Sequence, residues 1–140
     1  MNKEIIEKYM RAAIEEAMIA KSEGENPFGA VLLDSNNNFC TKAHSQSIKL
    51  CDPTAHAEVV AIRDACKNLK TFDLSGCVIY STSEPCPMCL ASIIWANIKE
   101  VYYGTNRKEV AKIGFRVDMI YNYLEGKDKN IIKVEHIETT

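Results

Sequence analysis

Two short stretches, His56-Ala57-Glu58 and Pro85-Cys86-Pro87-Met88-Cys89, decide how this chain is interpreted. One imidazole and two thiolates supply three of the four ligands that a zinc ion takes in proteins, and they leave one tetrahedral position open. An open position distinguishes a catalytic zinc site from a structural one, in which four side chains close the coordination sphere. The sequence therefore predicts a zinc site built by His56, Cys86 and Cys89.

The carboxylate of Glu58 lies two residues from the histidine and is not easily a ligand to the same ion from the same turn. Zinc lowers the pKa of a water molecule to about 7, and we expect Glu58 to move protons between that water and a substrate. Backbone N–H groups near Ala57 and Cys86 are expected to bind developing negative charge. His-x-Glu with Pro-Cys-x-x-Cys is the signature of zinc deaminases, so the expected reaction is hydrolytic loss of an amine.

A closed structural zinc site is the first alternative. It requires a fourth ligand, for which His44 and Cys51 are the nearby candidates and His136 is remote in sequence. Closed sites usually draw their ligands from paired clusters, which this chain lacks. A zinc-stabilised interaction module that has lost catalysis is the second alternative, and it would have no need of Glu58.

The overall composition is that of a small globular protein. The 140 residues are 46% hydrophobic and 26% charged, which predicts a single domain over residues 1–140. The formal net charge is −2. Proteins that bind a nucleic-acid backbone usually present a basic face, so this balance favours a small-molecule substrate and makes a nucleic-acid partner unlikely.

The chain also carries no recognisable export or membrane segment. Charged residues follow directly after Met1, and the longest uncharged stretch, residues 85–98, is too short to span a bilayer. We therefore expect a cytoplasmic protein without a membrane span. In that compartment the cysteines outside the metal pair are expected to be free thiols. They are Cys40, Cys51, Cys66 and Cys77.

Apolar periodicity and turn residues predict alternating helices and strands. Helices are predicted over residues 2–21, from Asp52-Pro53-Thr54 to Leu69, and over residues 88–96, 107–112 and 117–124. Strands are predicted over residues 28–33, 39–44, 77–82 and 100–103, with a further edge strand over residues 131–137. This alternation indicates an α/β fold, a three-layer α/β/α sandwich.

From Asn26 onward the chain resembles the cytidine deaminase-like superfamily of zinc hydrolases, in the branch of bacterial guanine deaminases and tRNA adenosine deaminases. The matching segments are Asn26-Pro27-Phe28-Gly29-Ala30, Asp52-Pro53-Thr54-Ala55-His56-Ala57-Glu58 and Ser83-Glu84-Pro85-Cys86-Pro87-Met88-Cys89. The resemblance implies a five-stranded mixed sheet with helices on both faces and commonly a homodimer. It also implies that His56, Cys86 and Cys89 bind zinc and that Glu58 is the proton shuttle.

Within that branch, Ile94-Trp95-Ala96 and residues 111–121 look more like the guanine deaminases. The resemblance then implies that Trp95 lines a base pocket opposite Phe28. A core aromatic residue on a helix is the alternative role for Trp95. Glu84, just before Pro85, is either a substrate contact or a charge that stabilises the start of the next helix.

The chain departs from the family pattern at two places that bear on the substrate. Ser45 stands where both subfamilies carry an asparagine that hydrogen-bonds the base. Arg116 and Val117 stand where guanine deaminases usually carry an acidic pair, with Asp118 next, either a compensating substrate contact or a surface residue. A serine hydroxyl lacks the paired donor and acceptor of an amide, so these departures are expected to change the preference among bases.

These observations predict zinc-dependent deamination of a free nucleobase or related amino-heterocycle. Guanine, converted to xanthine and ammonia, is the leading substrate. A tRNA wobble adenosine deaminase, or a cytosine or nucleoside deaminase, is the alternative.

Overall fold

The computed structural model describes residues 2–115 and 117–139, so Arg116 and its expected role in specificity lie outside the described residues. The helices are α1 (Lys3–Ser22), α2 (Ala57–Leu69), α3 (Pro87–Trp95), α4 (Arg107–Lys112) and α5 (Asp118–Leu124). The strands are β1 (Gly29–Leu33), β2 (Phe39–His44), β3 (Val78–Ser83) and β4 (Glu100–Thr105). None of the described helices is both long enough and apolar enough to cross a membrane.

The four strands form one mixed sheet in the order β2-β1-β3-β4. Strand β1 is antiparallel to both β2 and β3, whereas β3 and β4 are parallel. Residues 29–33 are all buried, as expected for a central strand covered on both faces. The α/β architecture and the mixed sheet agree with the sequence prediction.

The predicted fifth strand over residues 131–137 is wrong for the part of the chain that the structure describes. These residues form no ladder with the sheet, and each of them is exposed. Alternation of apolar and polar residues is a local signal, whereas a strand also requires a partner and a buried face. Ile131 and Ile137 have neither here.

Helix α1 covers one face of the sheet. Its residues Ile6, Tyr9, Met10 and Ala13 pack on side chains of β1 and β3, and the Tyr9 and Tyr80 rings lie 5.7 Å apart. The approach is close because β1 begins with a glycine. A Cβ atom on Gly29 would lie 2.1 Å from the Ala13 carbonyl oxygen and 2.7 Å from the Ala17 nitrogen.

Helices α2 and α3 cover the opposite face. Ala57, Val60 and Ala61 of α2 and Ile93 of α3 share a buried cluster with residues of the three strands β1, β2 and β3. The molecule therefore has the predicted three layers, helix on sheet on helix. This arrangement also brings the first turns of α2 and α3 to the same end of the sheet.

The start of α2 differs from the prediction. Asp52 does not open the helix, because its side chain instead accepts hydrogen bonds from the Thr54 N–H (2.8 Å) and the Thr54 hydroxyl (2.6 Å). This Asx-type turn delays the helix to Ala57, and His56 becomes the residue that precedes its first turn. The five-residue shift matters because it leaves the imidazole at a helix start.

Candidate active site

The three predicted zinc ligands converge between the first turns of α2 and α3. His56 directly precedes α2, and Cys86 directly precedes α3, in which Pro87 occupies the first turn. The His56 Nδ1 atom lies 3.5 Å from the Sγ atoms of both Cys86 and Cys89. The three ligand atoms all lie within 4.8 Å of one another, although 30 and 33 residues separate the histidine from the cysteines.

This donor set fits a tetrahedral zinc ion. Nitrogen and sulfur are the ligands that zinc prefers, and the two sulfurs and one imidazole leave a fourth position for solvent or substrate. In the described residues His44 and Cys51 do not belong to the ligand cluster, so the alternative of a closed structural site finds no fourth side chain there. Both helix starts also contribute positive partial charge, which favours thiolates.

The charge states of the cluster agree with a metal-binding role. A hydrogen bond from the Cys89 thiol lowers the pKa of Cys86 to about 4 against the opposing effect of burial, and His56 adds to this lowering. A separate hydrogen bond between the His56 ring and the Cys86 sulfur raises the pKa of His56, against the opposing effect of burial. The lowered pKa of Cys86 favours its thiolate, which is the form that coordinates zinc.

Glu58 lies in the first turn of α2 with only 5% of its surface exposed. Burial raises the pKa of its carboxyl group to about 7. A carboxyl group that titrates near neutral pH can both accept and donate a proton under physiological conditions. It shares a cavity of about 180 Å³ with His56 and Cys86.

The cavity walls come from loops at this end of the sheet. The rings of Phe28 and Phe115 both line it and pack edge to face against each other, with their centroids 4.8 Å apart. Ser45 is fully buried in the lining, and its N–H donates to the Phe28 carbonyl oxygen at 3.1 Å. Glu84 also lines the cavity, and one of its carboxylate oxygens accepts the Arg107 N–H at 3.0 Å, so it fixes the start of α4.

The structure does not bring Trp95 or Asp118 into the cavity lining. Trp95 is the last residue of α3, about 12 Å along the helix axis from Pro87, and its side chain is 85% exposed. Asp118 opens α5 and is exposed. Ala57 is buried at the start of α2, so its N–H is near the cluster while its side chain packs in the core.

Four lining residues were not singled out as site residues from the sequence: Asn26, Ser83, Val110 and Phe115. Val117, one of the predicted departures from the family pattern, also lines the cavity. Asn26 is the first residue of the segment 26–30 that carries the family resemblance, so its position in the sequence was a usable signal. Phe115 now occupies the place opposite Phe28 that was predicted for Trp95. No local pattern distinguishes Val110 from any other apolar helix residue.

His44 lies outside the cavity and joins β2 to α1. Its two ring nitrogens lie 3.1 Å from a Glu16 carboxylate oxygen and 2.8 Å from a Glu23 carboxylate oxygen. Burial lowers the pKa of His44, but the hydrogen bonds to the two carboxylates outweigh this effect and leave the pKa raised. The histidine at this strand end is therefore a structural link between the helix and the sheet.

Comparison with known proteins agrees with the geometry. Residues 3–105 match the family described as the cytidine and deoxycytidylate deaminase zinc-binding region. A tRNA-specific adenosine deaminase of Haemophilus influenzae is 39% identical over 120 residues, which are 86% of this chain and 69% of that protein. A guanine deaminase of Bacillus subtilis is 42% identical over 97 residues, which are 69% of this chain and 57% of that protein.

The fold comparison extends over the whole chain. The crystal structure of a guanine deaminase from Bacillus subtilis superposes with a TM-score of 0.91 at 34% sequence identity, covering 100% of this chain and 88% of that one. Fold, ligand cluster and sequence similarity agree with one another, and they confirm the predicted family and its zinc cofactor. The chain belongs to the cytidine and deoxycytidylate deaminase family of zinc-binding hydrolases.

Proposed function

We propose that this protein hydrolyses the exocyclic amine of a free nucleobase or related amino-heterocycle, with guanine, converted to xanthine and ammonia, as the leading substrate. The observation that carries the proposal is the buried Glu58 beside the ligand cluster of His56, Cys86 and Cys89, at a small aromatic-walled cavity. Deamination of a cyclic amidine needs an activated water, a group that moves protons and a site for a flat ring. All three requirements have a counterpart here.

Each side chain has a defined task in this reaction. His56 and the thiolates of Cys86 and Cys89 would hold the zinc ion, which when bound supplies the Lewis acidity that makes water a nucleophile at neutral pH. Glu58 takes the proton from that water as the new C–O bond forms at the ring carbon. It delivers this proton to the ring nitrogen, takes the second proton from the newly bonded hydroxyl group and gives it to the amine. The C–N bond then breaks, ammonia leaves and the ring carbon becomes a carbonyl.

The dimensions of the cavity favour a single heterocycle over a larger ligand. Its volume of about 180 Å³ is below the ~300–1,000 Å³ that is usual for sites of drug-sized ligands. The edge-to-face pair of Phe28 and Phe115 offers apolar surface on which a flat base can lie. The similarity to a guanine deaminase over the whole fold supports guanine among the candidate bases.

Deamination of adenosine in tRNA is the second candidate, and the 39% identity to a tRNA-specific adenosine deaminase favours it. The formal net charge of −2 counts against it, because a tRNA ligand requires basic surface and gives binding that weakens steeply with salt. A cytosine or nucleoside deaminase is a third possibility within the same chemistry.

A substrate panel tests the proposal. Ammonia release by the purified, zinc-loaded protein is measured with guanine, adenine, cytosine, cytidine and ammeline, and inosine formation is measured with a tRNA that carries a wobble adenosine. We expect turnover of at least one free base and no salt-sensitive reaction on tRNA. Turnover confined to tRNA would transfer the assignment to the second candidate.

A further inference from the structure

We propose that Asn26 is a specificity-determining residue whose side-chain amide hydrogen-bonds the ring edge of the heterocyclic substrate. This inference rests on the proposed deaminase function and names a residue that reads the base. Asn26 lines the same cavity as Glu58 and Ser45. It restores the amide that the family resemblance leads one to expect at position 45, where this chain has a serine.

The Asn26 side chain is available for a ligand. It is partly buried in the cavity wall, and within residues 2–115 and 117–139 its amide group has no hydrogen-bond partner. Polar groups that become buried against a ligand without a partner carry a substantial desolvation cost. A bound heterocycle that covers this wall is therefore favoured when its edge satisfies the amide.

The backbone around Asn26 is held in a tight turn. The Phe28 N–H donates to the Asn26 carbonyl oxygen at 2.8 Å, which closes a three-residue turn around Pro27. Proline fixes its own φ near −65°, close to the value that this turn requires at its central residue. The turn thus couples the position of the Asn26 amide to that of the Phe28 ring.

Both sides of the turn are anchored to the rest of the fold. The buried carboxylate of Glu25 accepts the N–H groups of Ile48 and Lys49 at 3.1 and 2.7 Å. On the other side, the Gly29 N–H donates to the Thr82 hydroxyl at 3.1 Å. Because this backbone is already fixed, only the side-chain torsions of Asn26 remain to be ordered when a ligand binds, which preorganises the site in part.

The chemistry of an amide matches the task. Its carbonyl oxygen accepts and its NH₂ group donates, so it can pair with a ring edge that presents an N–H group beside an acceptor. Ser45 and Ser83 are the hydroxyl residues of the lining, and each carries its donor and its acceptor on one oxygen atom, so neither spans two adjacent ring atoms as an amide does. The ligand class is therefore an amino-heterocycle with adjacent donor and acceptor atoms along one edge.

The test compares three variants by steady-state kinetics on the five-compound panel. Asn26→Ala is expected to lower kcat/KM for the best base at least about tenfold, mainly through KM, because a ligand edge is left unpaired. Asn26→Asp keeps the size and the acceptor but removes the donor, so it is expected to change the ranking of the bases. Gln46→Ala is the matched control, because Gln46 is an amide next to Ser45 that lines a different cavity.

Zinc content and melting temperature are measured on every variant, so that a folding defect is recognised. The inference is overturned when correctly folded Asn26→Ala keeps kcat/KM within twofold of the wild type with an unchanged ranking of bases. If the zinc-loaded wild type releases ammonia from none of the bases, the proposed function fails separately. Calorimetric binding of guanine to wild type and Asn26→Ala then decides: weaker binding by the variant supports the inference, whereas equal binding or no binding by either protein overturns it.

Discussion

Glu58 combines a nearly complete burial with a carboxyl pKa of about 7, two properties that an ordinary surface glutamate does not have. The cost of burying the carboxylate is what raises its pKa, and the same burial keeps bulk water away from the transferred proton. Burying an ionisable carboxyl group destabilises a fold, so a buried glutamate of this kind indicates a function. It gives the sharpest test of the catalytic assignment.

Replacing Glu58 with glutamine should stop turnover without disturbing the metal site. The expected loss in kcat is about 10²–10⁴-fold, the usual contribution of a positioned acid–base group. Ammonia release gives the activity, and elemental analysis should still find one zinc ion per chain. Glu109→Gln, which changes an exposed glutamate on α4, serves as the control. Full activity of the Glu58 variant would refute the role.

Cysteine replacement separates metal binding from general thiol effects. Cys86→Ala removes a ligand and should reduce bound zinc to well below one ion per chain, whereas Cys51→Ala changes an exposed thiol and should leave it unaffected. A ligand that binds only the folded state stabilises it, so chelation of zinc should lower the melting temperature of the wild type. Equal zinc content in the two variants would contradict the assigned ligand set.

At the scale of the elements, the contact between α1 and β1 depends on a single missing side chain. Gly29→Ala would place a methyl group 2.1 Å from the Ala13 carbonyl oxygen, so helix and strand must separate. We expect a loss of at least about 2 kcal/mol in the free energy of unfolding, measured in urea. Lys42→Ala on the neighbouring strand changes an exposed residue and should cost little. Equal stability of the two variants would show that α1 can shift freely.

The link of His44 to Glu16 and Glu23 should make stability depend on pH. Because its folded pKa is raised, the imidazolium stabilises the fold fully below the unfolded value of about 6.5, and this contribution disappears as the pH rises through the raised folded pKa. His44→Gln should therefore cost about 1–3 kcal/mol at pH 6 and progressively less toward pH 9. Urea unfolding of both proteins across this range measures the difference, and a constant difference would contradict the charged pair.

The elements also indicate which structural information is local in a sequence. The bounds of β2 and α4 follow the prediction because apolar spacing and turn residues lie within the segment itself. The start of α2 did not, because the Asp52 side chain bonds to Thr54 and competes with the helix. The strand predicted over residues 131–137 failed because pairing with a sheet edge is decided by distant residues.

The candidate site also has one part that can be predicted from local sequence and one part that cannot. His56, Glu58, Cys86 and Cys89 are recognisable because each half of the cluster is a short motif with fixed spacing, and a helix start then orients it. The cavity wall is different, because its residues come from five separated parts of the chain. No local sequence pattern near Trp95 predicts that its side chain lies outside the cavity. The length of α3 sets the position of this residue.

At the scale of the whole molecule, α3 presents apolar side chains on its outer surface. Leu90, Ile94 and Trp95 are exposed there, and a contiguous apolar patch usually marks a contact with another protein. We expect a second copy of this chain to cover it, giving a homodimer. Sedimentation analysis should find a dimer for the wild type and a monomer for Trp95→Lys, with Leu124→Lys on α5 as the control. A monomeric wild type would contradict the expectation.

The position of β4 has a consequence for the dynamics of the sheet. In the described residues β4 is bonded to β3 alone, whereas β1 is bonded on both sides. Amide protons that point outward from β4 are therefore exposed to solvent and exchange readily. Those of β1 exchange only when the sheet opens. Deuterium uptake should consequently be graded across one continuous sheet, fast at alternate positions of its two edge strands β2 and β4 and slowest in β1 and β3 between them.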